Sequence, residues 1–335
     1  MTEPPTKGVV YVATKKQKYA AEAFLSATSL KELVPDLPVT LFTNLTDSAF
    51  ARDDCFDTVV PIDTIRDYGK AWSEGQLDRI RCLPMSPYEH TLHLDSDTRV
   101  LSPEIADVFS LLERHDMAMV ECLPENSYSC EQYGRPMFNV GFILYRKSDG
   151  VMALLSEWER LTAAHFALAR DNAAPCPGWL SHIPDADVRR KLLFMDQLSM
   201  VRLLSPEVNR SGVDCRILDH GWNFRGTDQE PQPDFHIRVN HHPDLRGSQF
   251  KRDIAAAGSR YADSGNKDRA LEIFEAALEQ WPGDMDFMRF IVVTHVDSRN
   301  LDDARQWLEA MLEQFPGHPW ATSGLQALTR MESPD

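Results

Sequence analysis

A chain of 335 residues has room for one large domain and a small one, and its hydrophobic share of 43% is enough to build a substantial core. The formal net charge of −16 repels nucleic acid and anionic lipid surfaces and excludes both as general partners, though a phosphate-bearing ligand can still be held through a metal ion and a few local cations. No apolar run approaches the roughly 18 residues of a membrane span, the first residues carry no secretory pattern, and the six cysteines are scattered without a C-x-x-C pair, so a cytoplasmic setting is expected.

Gly8–Thr14 is a short β-branched run that predicts a buried strand, and a helical period follows over Tyr19–Leu33 until Pro35 and Pro38 stop it. Val39–Asn44 reads as the next strand, so the chain opens β-α-β and implies a parallel pair. Further strands are expected at 57–62, His90–Asp97, Asp116–Glu121, Asn139–Tyr145 and Asp234–His242, with helices clearest at Gly150–Arg170 and Asp196–Leu204. This alternation predicts one α/β domain with a mostly parallel sheet over residues 1–248. From 249 to 335 every segment reads helical. There Tyr261, Ala270, Phe274, Ala277 and Pro282 stand at tetratricopeptide spacings, and a step of 34 residues from Ala270 and Pro282 reaches Ala304 and Pro316. Leu308 takes the place of Phe274, while His295 and Met311 depart from the pattern. So short a stack is expected to lean on the α/β domain, on a second copy of the chain or on an acceptor protein.

The sharpest chemical signal is Asp95-Ser96-Asp97 at the end of a predicted strand. Carboxylates at i and i+2 on a strand end address one side, where both can hold Mg²⁺ or Mn²⁺ and leave positions open for a diphosphate. A calcium-binding EF-hand loop does not fit, because Arg99 and Val100 stand where a ligand and a glycine are needed. By itself the pattern also describes a solvated turn.

Its surroundings carry more. Arg79-Ile80-Arg81, Ser86-Pro87-Tyr88-Glu89 and Thr91-Leu92-His93-Leu94-Asp95-Ser96-Asp97 resemble the glycogenin-like and related glycosyltransferases of GT-A fold. Phe138-Asn139-Val140-Gly141 and Asp196-Gln197 follow in the same order, and His241 follows a predicted strand as that family's late metal-binding histidine does. The resemblance spans residues 8–245. It implies a GT-A fold and a nucleotide-sugar donor, UDP-linked, with a glycan, lipid or protein acceptor. It also implies transfer with retention, and Asp95, Asp97 and His241 as ligands of Mn²⁺ or Mg²⁺. Thr14 and Asn44 would line the nucleoside pocket, and Arg79 would reach the donor phosphates. Asn139 and Gly141 would border the sugar, with Asp196 and Gln197 beneath the anomeric carbon; Asp196 equally suits a helix N-cap. His236 and His242 compete with His241 for the metal. Arg246 stands in for the family's Gly- and Lys-bearing tail after that histidine. Two other functions share the sheet and the metal logic. One is a sugar nucleotidyltransferase, although Ala13–Tyr19 lacks the glycine-rich loop expected of it. The other is a non-catalytic nucleotide-sugar-binding adaptor. Trp222-Asn223 marks a loop near donor or acceptor, or a buried aromatic.

Overall fold

The computed structural model describes residues 6–122, 128–133, 137–171, 177–205, 208–225, 236–241 and 248–332. The chain divides into two compact units, Met1–Asp47 with Ala51–Leu245, and Ser48–Phe50 with Arg246–Asp335. The expected strand at Asp234–His242 extends at both ends beyond the described residues.

In the first unit the order is β1 (Lys7–Val12), α1 (Gln17–Leu33), β2 (Val39–Thr43), β3 (Thr58–Pro61), α2 (Ala71–Cys82), β4 (His90–Leu94) and β5 (Thr98–Val100). Then come β6 (Met117–Cys122), α3 (Tyr128–Tyr133), β7 (Met137–Arg146), α4 (Asp149–Asp171), α5 (Ala186–Leu193), α6 (Asp196–Leu204), β8 (Cys215–Leu218) and β9 (Val239–His241). Seven strands form one sheet in the order β3-β2-β1-β4-β7-β6-β8, mostly parallel, with β7 running against its neighbours. β1 is a β-rich run that is apolar on both faces, with Val9, Val10 and Tyr11 fully buried, and β4 buries Leu92 and Leu94 on one face and Thr91 and His93 on the other. From β1 the chain proceeds to β2 and β3 on one side, then returns to place β4 on the other. That reversal opens a crevice at the carboxyl ends of β1 and β4, the place where open α/β sheets take ligands.

β5 and β9 form a separate antiparallel ribbon, with Thr98 opposite His241 and Val100 opposite Val239. The strand expected through Asp97 therefore ends at Leu94. The chain bends at the two aspartates and resumes as β5.

Behind the sheet, α4 and α6 pack through Trp158, Leu155, Phe166, Leu198 and Met200, all fully buried. Between them His165 is buried, 2.9 Å from the Ser199 hydroxyl, and burial depresses its pKa from 6.5 to about 4. An imidazole held neutral in the fold binds its proton more readily when the chain unfolds. Its stabilising effect is complete above the unfolded value and is lost as pH falls toward the folded one. Between pH 7.5 and 4.5 this one group removes on the order of 2 kcal/mol. Urea titrations at the two pH values should show a loss smaller by about that amount in His165→Gln.

The second unit contains α7 (Ser248–Asp263), α8 (Lys267–Gln280), α9 (Met285–Asp297), α10 (Leu301–Gln314) and α11 (Pro319–Glu332). The repeat logic is physical. Ala270 and Ala304 are fully buried where paired helices close on one another, and α8 and α10 stop just before Pro282 and Pro316. Phe274 fills the space left by Gly258, where a Cβ would sit 2.3 Å from the ring. Leu308, smaller than Phe274, fills the equivalent place in the second repeat, and Met311 is buried beside it.

Candidate active site

β4 delivers Asp95 and the bend delivers Asp97, while the ribbon brings His241 to them from a remote part of the chain. One ligand atom from each of the three lies within 4.8 Å of the other two. His241 Nε2 is 3.2 Å from Asp97 Oδ1 and 3.9 Å from Asp95 Oδ2. Of the competing histidines, His236 lies outside the group, exposed and 3.9 Å from Glu104; His242 lies outside the described residues, as does Arg246.

Gly141 closes the floor of this group. A Cβ there would stand 2.6 Å from Asp95 Oδ2 and 2.8 Å from His241 Cε1. Its carbonyl accepts the Asp95 N–H at 2.8 Å, and its own N–H donates to Asn139 Oδ1 at 3.0 Å. Asn139 thus shapes the irregular stretch where the β6–β7 register shifts.

Arg79, on α2, holds two carboxylates at once. Nη1 is 2.5 Å from Asp95 Oδ1, and Nη2 donates to Asp196 Oδ2. Burial opposes the charge on Asp95, but Arg79 outweighs it. With His93 and His241 adding to the effect, the carboxyl is held well below the usual carboxylate range. Asp196 opens α6. Its N–H donates to Gln76 Oε1 at 3.0 Å, and its carbonyl accepts Trp158 Nε1–H at 3.0 Å. Asp196 is buried, and Gln197 beside it is half-buried. With no side-chain cap bond at this helix start, Asp196 faces Arg79 rather than serving as the N-cap.

Thr14 and Asn44 lie at the ends of β1 and β2 as expected, where both shape the loop after β1. Thr14 Oγ1 donates to the buried Asp78 at 3.1 Å, and Asn44 Oδ1 accepts the Lys15 N–H at 2.8 Å. Lys15 has φ of 73°, a left-handed conformation unusual outside glycine. Its ammonium contacts the Ile65 carbonyl and lies 3.2 Å from Glu74.

A second set of groups, which no motif marks, braces the Asp95–Asp97 loop from α1. Ser96 Oγ donates to Glu22 at 3.1 Å, and the Ser26 and Thr98 hydroxyls are 2.6 Å apart. Thr98 Oγ1 donates to the Asp95 carbonyl, and Ser29 Oγ accepts the Val100 N–H. Glu22, Ser26 and Ser29 recur at helical spacing on an otherwise Ala-rich buried face. That polar stripe was the available signal.

The donor set suits a hard divalent cation: two carboxylates and an imidazole on one side, with space kept open by a glycine. Three carboxylates, Asp95, Asp97 and Asp196, meet one guanidinium in this half-buried region, which leaves two formal negative charges to balance. The residues fit Mn²⁺ or Mg²⁺.

No curated protein matches the chain. Among solved structures it is similar to an active-site mutant of LgtC (13% identity, 75% of this chain and 95% of that one, TM-score 0.43) and to the galactosyltransferase LgtC in complex with donor and acceptor sugar analogs (14%, 75% and 95%, 0.41). It is also similar to the glycosyltransferase GlyE of Streptococcus pneumoniae TIGR4 (15%, 70% and 54%, 0.44). Residues 255–319 match the tetratricopeptide repeat family.

Proposed function

We propose that this chain is a glycosyltransferase that moves a sugar from a UDP-sugar, with Mn²⁺ or Mg²⁺, to a glycan, lipid or protein acceptor. The observation that carries the reading is the convergence of Asp95, Asp97 and His241 within 4.8 Å of one another at the carboxyl end of β4. The ordered motifs that resemble GT-A glycosyltransferases support it independently.

Asp95, Asp97 and His241 would hold the ion, which when bound neutralises the charge of a departing diphosphate. The protein's own part is orientation. Arg79 fixes the Asp95 carboxylate toward the metal group and the Asp196 carboxylate toward the start of α6. Gln76 and Trp158 hold the backbone of Asp196 from two further sides, so Gln197 projects from a rigid helix start. In this reading Gln197 and Asp196 sit beneath the anomeric carbon, where an oxocarbenium-like charge develops, and transfer proceeds with retention. Gly141 lets the sugar approach the backbone, Asn139 holds that backbone in place, and Thr14 and Asn44 shape the nucleoside side of the crevice. The helical unit grips an acceptor protein or a second subunit.

A panel of nucleotide sugars incubated with Mn²⁺ should yield free nucleoside diphosphate from the UDP-sugars, read by coupled assay, and chelation should abolish the signal. Turnover that survives chelation, or release from no member of the panel, would sink the reading.

A further inference from the structure

Among the described residues the proposed site has one unmet requirement. A divalent ion shared with two carboxylates cannot also cancel the full charge of a departing diphosphate, and phosphate sites ordinarily add a guanidinium or ammonium. Arg79 is tied to Asp95 and Asp196. Lys15 is tied to the Ile65 carbonyl and Glu74, and Arg238 to Glu104.

The segment Trp222–Arg225 lies along the free edge of β9. Phe224 N–H donates to the Val239 carbonyl, and His241 N–H donates to the Phe224 carbonyl, at 2.8 and 2.7 Å. This is a parallel bridge centred on Phe224 and Asn240. Paired positions share a face and successive residues alternate. The bridge therefore sets Asn223 on the face of Val239 and Arg225 on the face of His241, the metal-group histidine. Asn223 is 2% exposed, yet neither its amide oxygen nor its amide nitrogen has a hydrogen-bond partner among the described residues. Arg225 Nε is likewise buried without a partner among them, and no described carboxylate pairs with its guanidinium. Buried amides and guanidinium nitrogens are almost always satisfied. Two unsatisfied in one short segment, beside the metal-group histidine, mark a surface built to meet a polar ligand.

We infer that Arg225, supported by Asn223, is the phosphate-binding cation of this site and takes the diphosphate of the nucleotide donor. The inference rests on the glycosyltransferase reading and adds to it a residue outside the motifs that resemble known enzymes. A planar guanidinium matches two phosphate oxygens, which a lysine ammonium can meet only as a point charge.

Calorimetry of the full chain with UDP and MnCl₂, and with GDP and MnCl₂, tests this on wild type, Arg225→Met, Arg225→Gln and Arg225→Lys. UDP affinity should fall at least tenfold in the Met and Gln variants and less in the Lys variant. The salt dependence of binding should also be shallower once the cation is gone. Thermal unfolding without nucleotide identifies any variant that is merely misfolded, and the remaining substitutions then decide. Wild-type affinity in Arg225→Met or Arg225→Gln overturns the assignment, as does a variant that keeps UDP affinity but shows a raised KM for an anionic acceptor. If wild type binds neither UDP nor GDP with Mn²⁺, the glycosyltransferase reading itself fails, and this inference falls with it.

Discussion

Asp97→Asn should lower the Mn²⁺-dependent affinity for UDP at least a hundredfold, about 3 kcal/mol, while leaving the metal-free protein as stable as wild type or more so. The two halves of the expectation have one cause. Asp95 and Asp97 are carboxylates held near one another, with a third at Asp196, and Arg79 is tied to Asp95 and Asp196 rather than to Asp97. In the absence of metal, removing one charge relieves repulsion. With metal present, the same change deletes an anionic ligand from a hard cation. Asparagine keeps the size of the side chain, so packing changes little. Titration calorimetry in Mn²⁺ and in chelator, beside thermal unfolding in chelator, gives both readings. Equal UDP affinity in the two proteins would remove Asp97 from the metal group. A large loss of stability in chelator would mean that the carboxylate serves the fold instead.

Gly141→Ala should be nearly as damaging, although it adds a single methyl group and changes no charge. The new carbon would be 2.6 Å from Asp95 Oδ2, 2.9 Å from Asp95 Cγ and 2.8 Å from His241 Cε1. None of these can yield without moving a metal-group side chain. Asp95 is held by Arg79, and its backbone N–H is bound to the Gly141 carbonyl itself. Overpacking of this kind costs about 1–3 kcal/mol of stability, and the displaced ligands should make metal-dependent UDP binding undetectable. Gly178→Ala is the control, since a Cβ there meets nothing within 4 Å. Normal Mn²⁺–UDP binding by Gly141→Ala would show that the Asp95–His241 spacing is not what holds the ion.

Much of the fold is legible in the residues because its cues are local. β1 and β2 are continuous β-branched and apolar runs, Pro35 and Pro38 close α1, and the repeating Ala and Pro positions mark the helical tail. Asp95 and Asp97 stand out because their spacing is itself the signal. β5 was harder, whereas β9 falls inside the strand expected at Asp234–His242. β5 is three residues long and is stabilised by its partner rather than by its own composition, so it carries no period to read. The role of Arg79 illustrates a different limit. A sequence shows a cation before the motif, but not that both ends of its guanidinium are taken by Asp95 and Asp196, residues far apart in the chain. Asn139 is similar. Its side chain satisfies Gly141, a contact two residues away that requires the irregular register of β7. The bracing of the Asp95–Asp97 loop by Glu22, Ser26 and Ser29 is written in α1 as a polar stripe, but its target follows only from the packing.

The β5–β9 ribbon has a consequence for how the site comes into being. Its few hydrogen bonds join segments separated by most of the α/β unit, so their pairing closes a very long loop and gains little in return. Pairings of that kind form late, after the local β-α-β contacts have collapsed, and they open first under mild stress. The Asp95–Asp97–His241 group therefore exists only once the last tertiary contacts are made. A chain that has reached its secondary structure but not its final topology would present two aspartates and no histidine, so the proposed ion binding would serve as the molecule's own report that folding is complete.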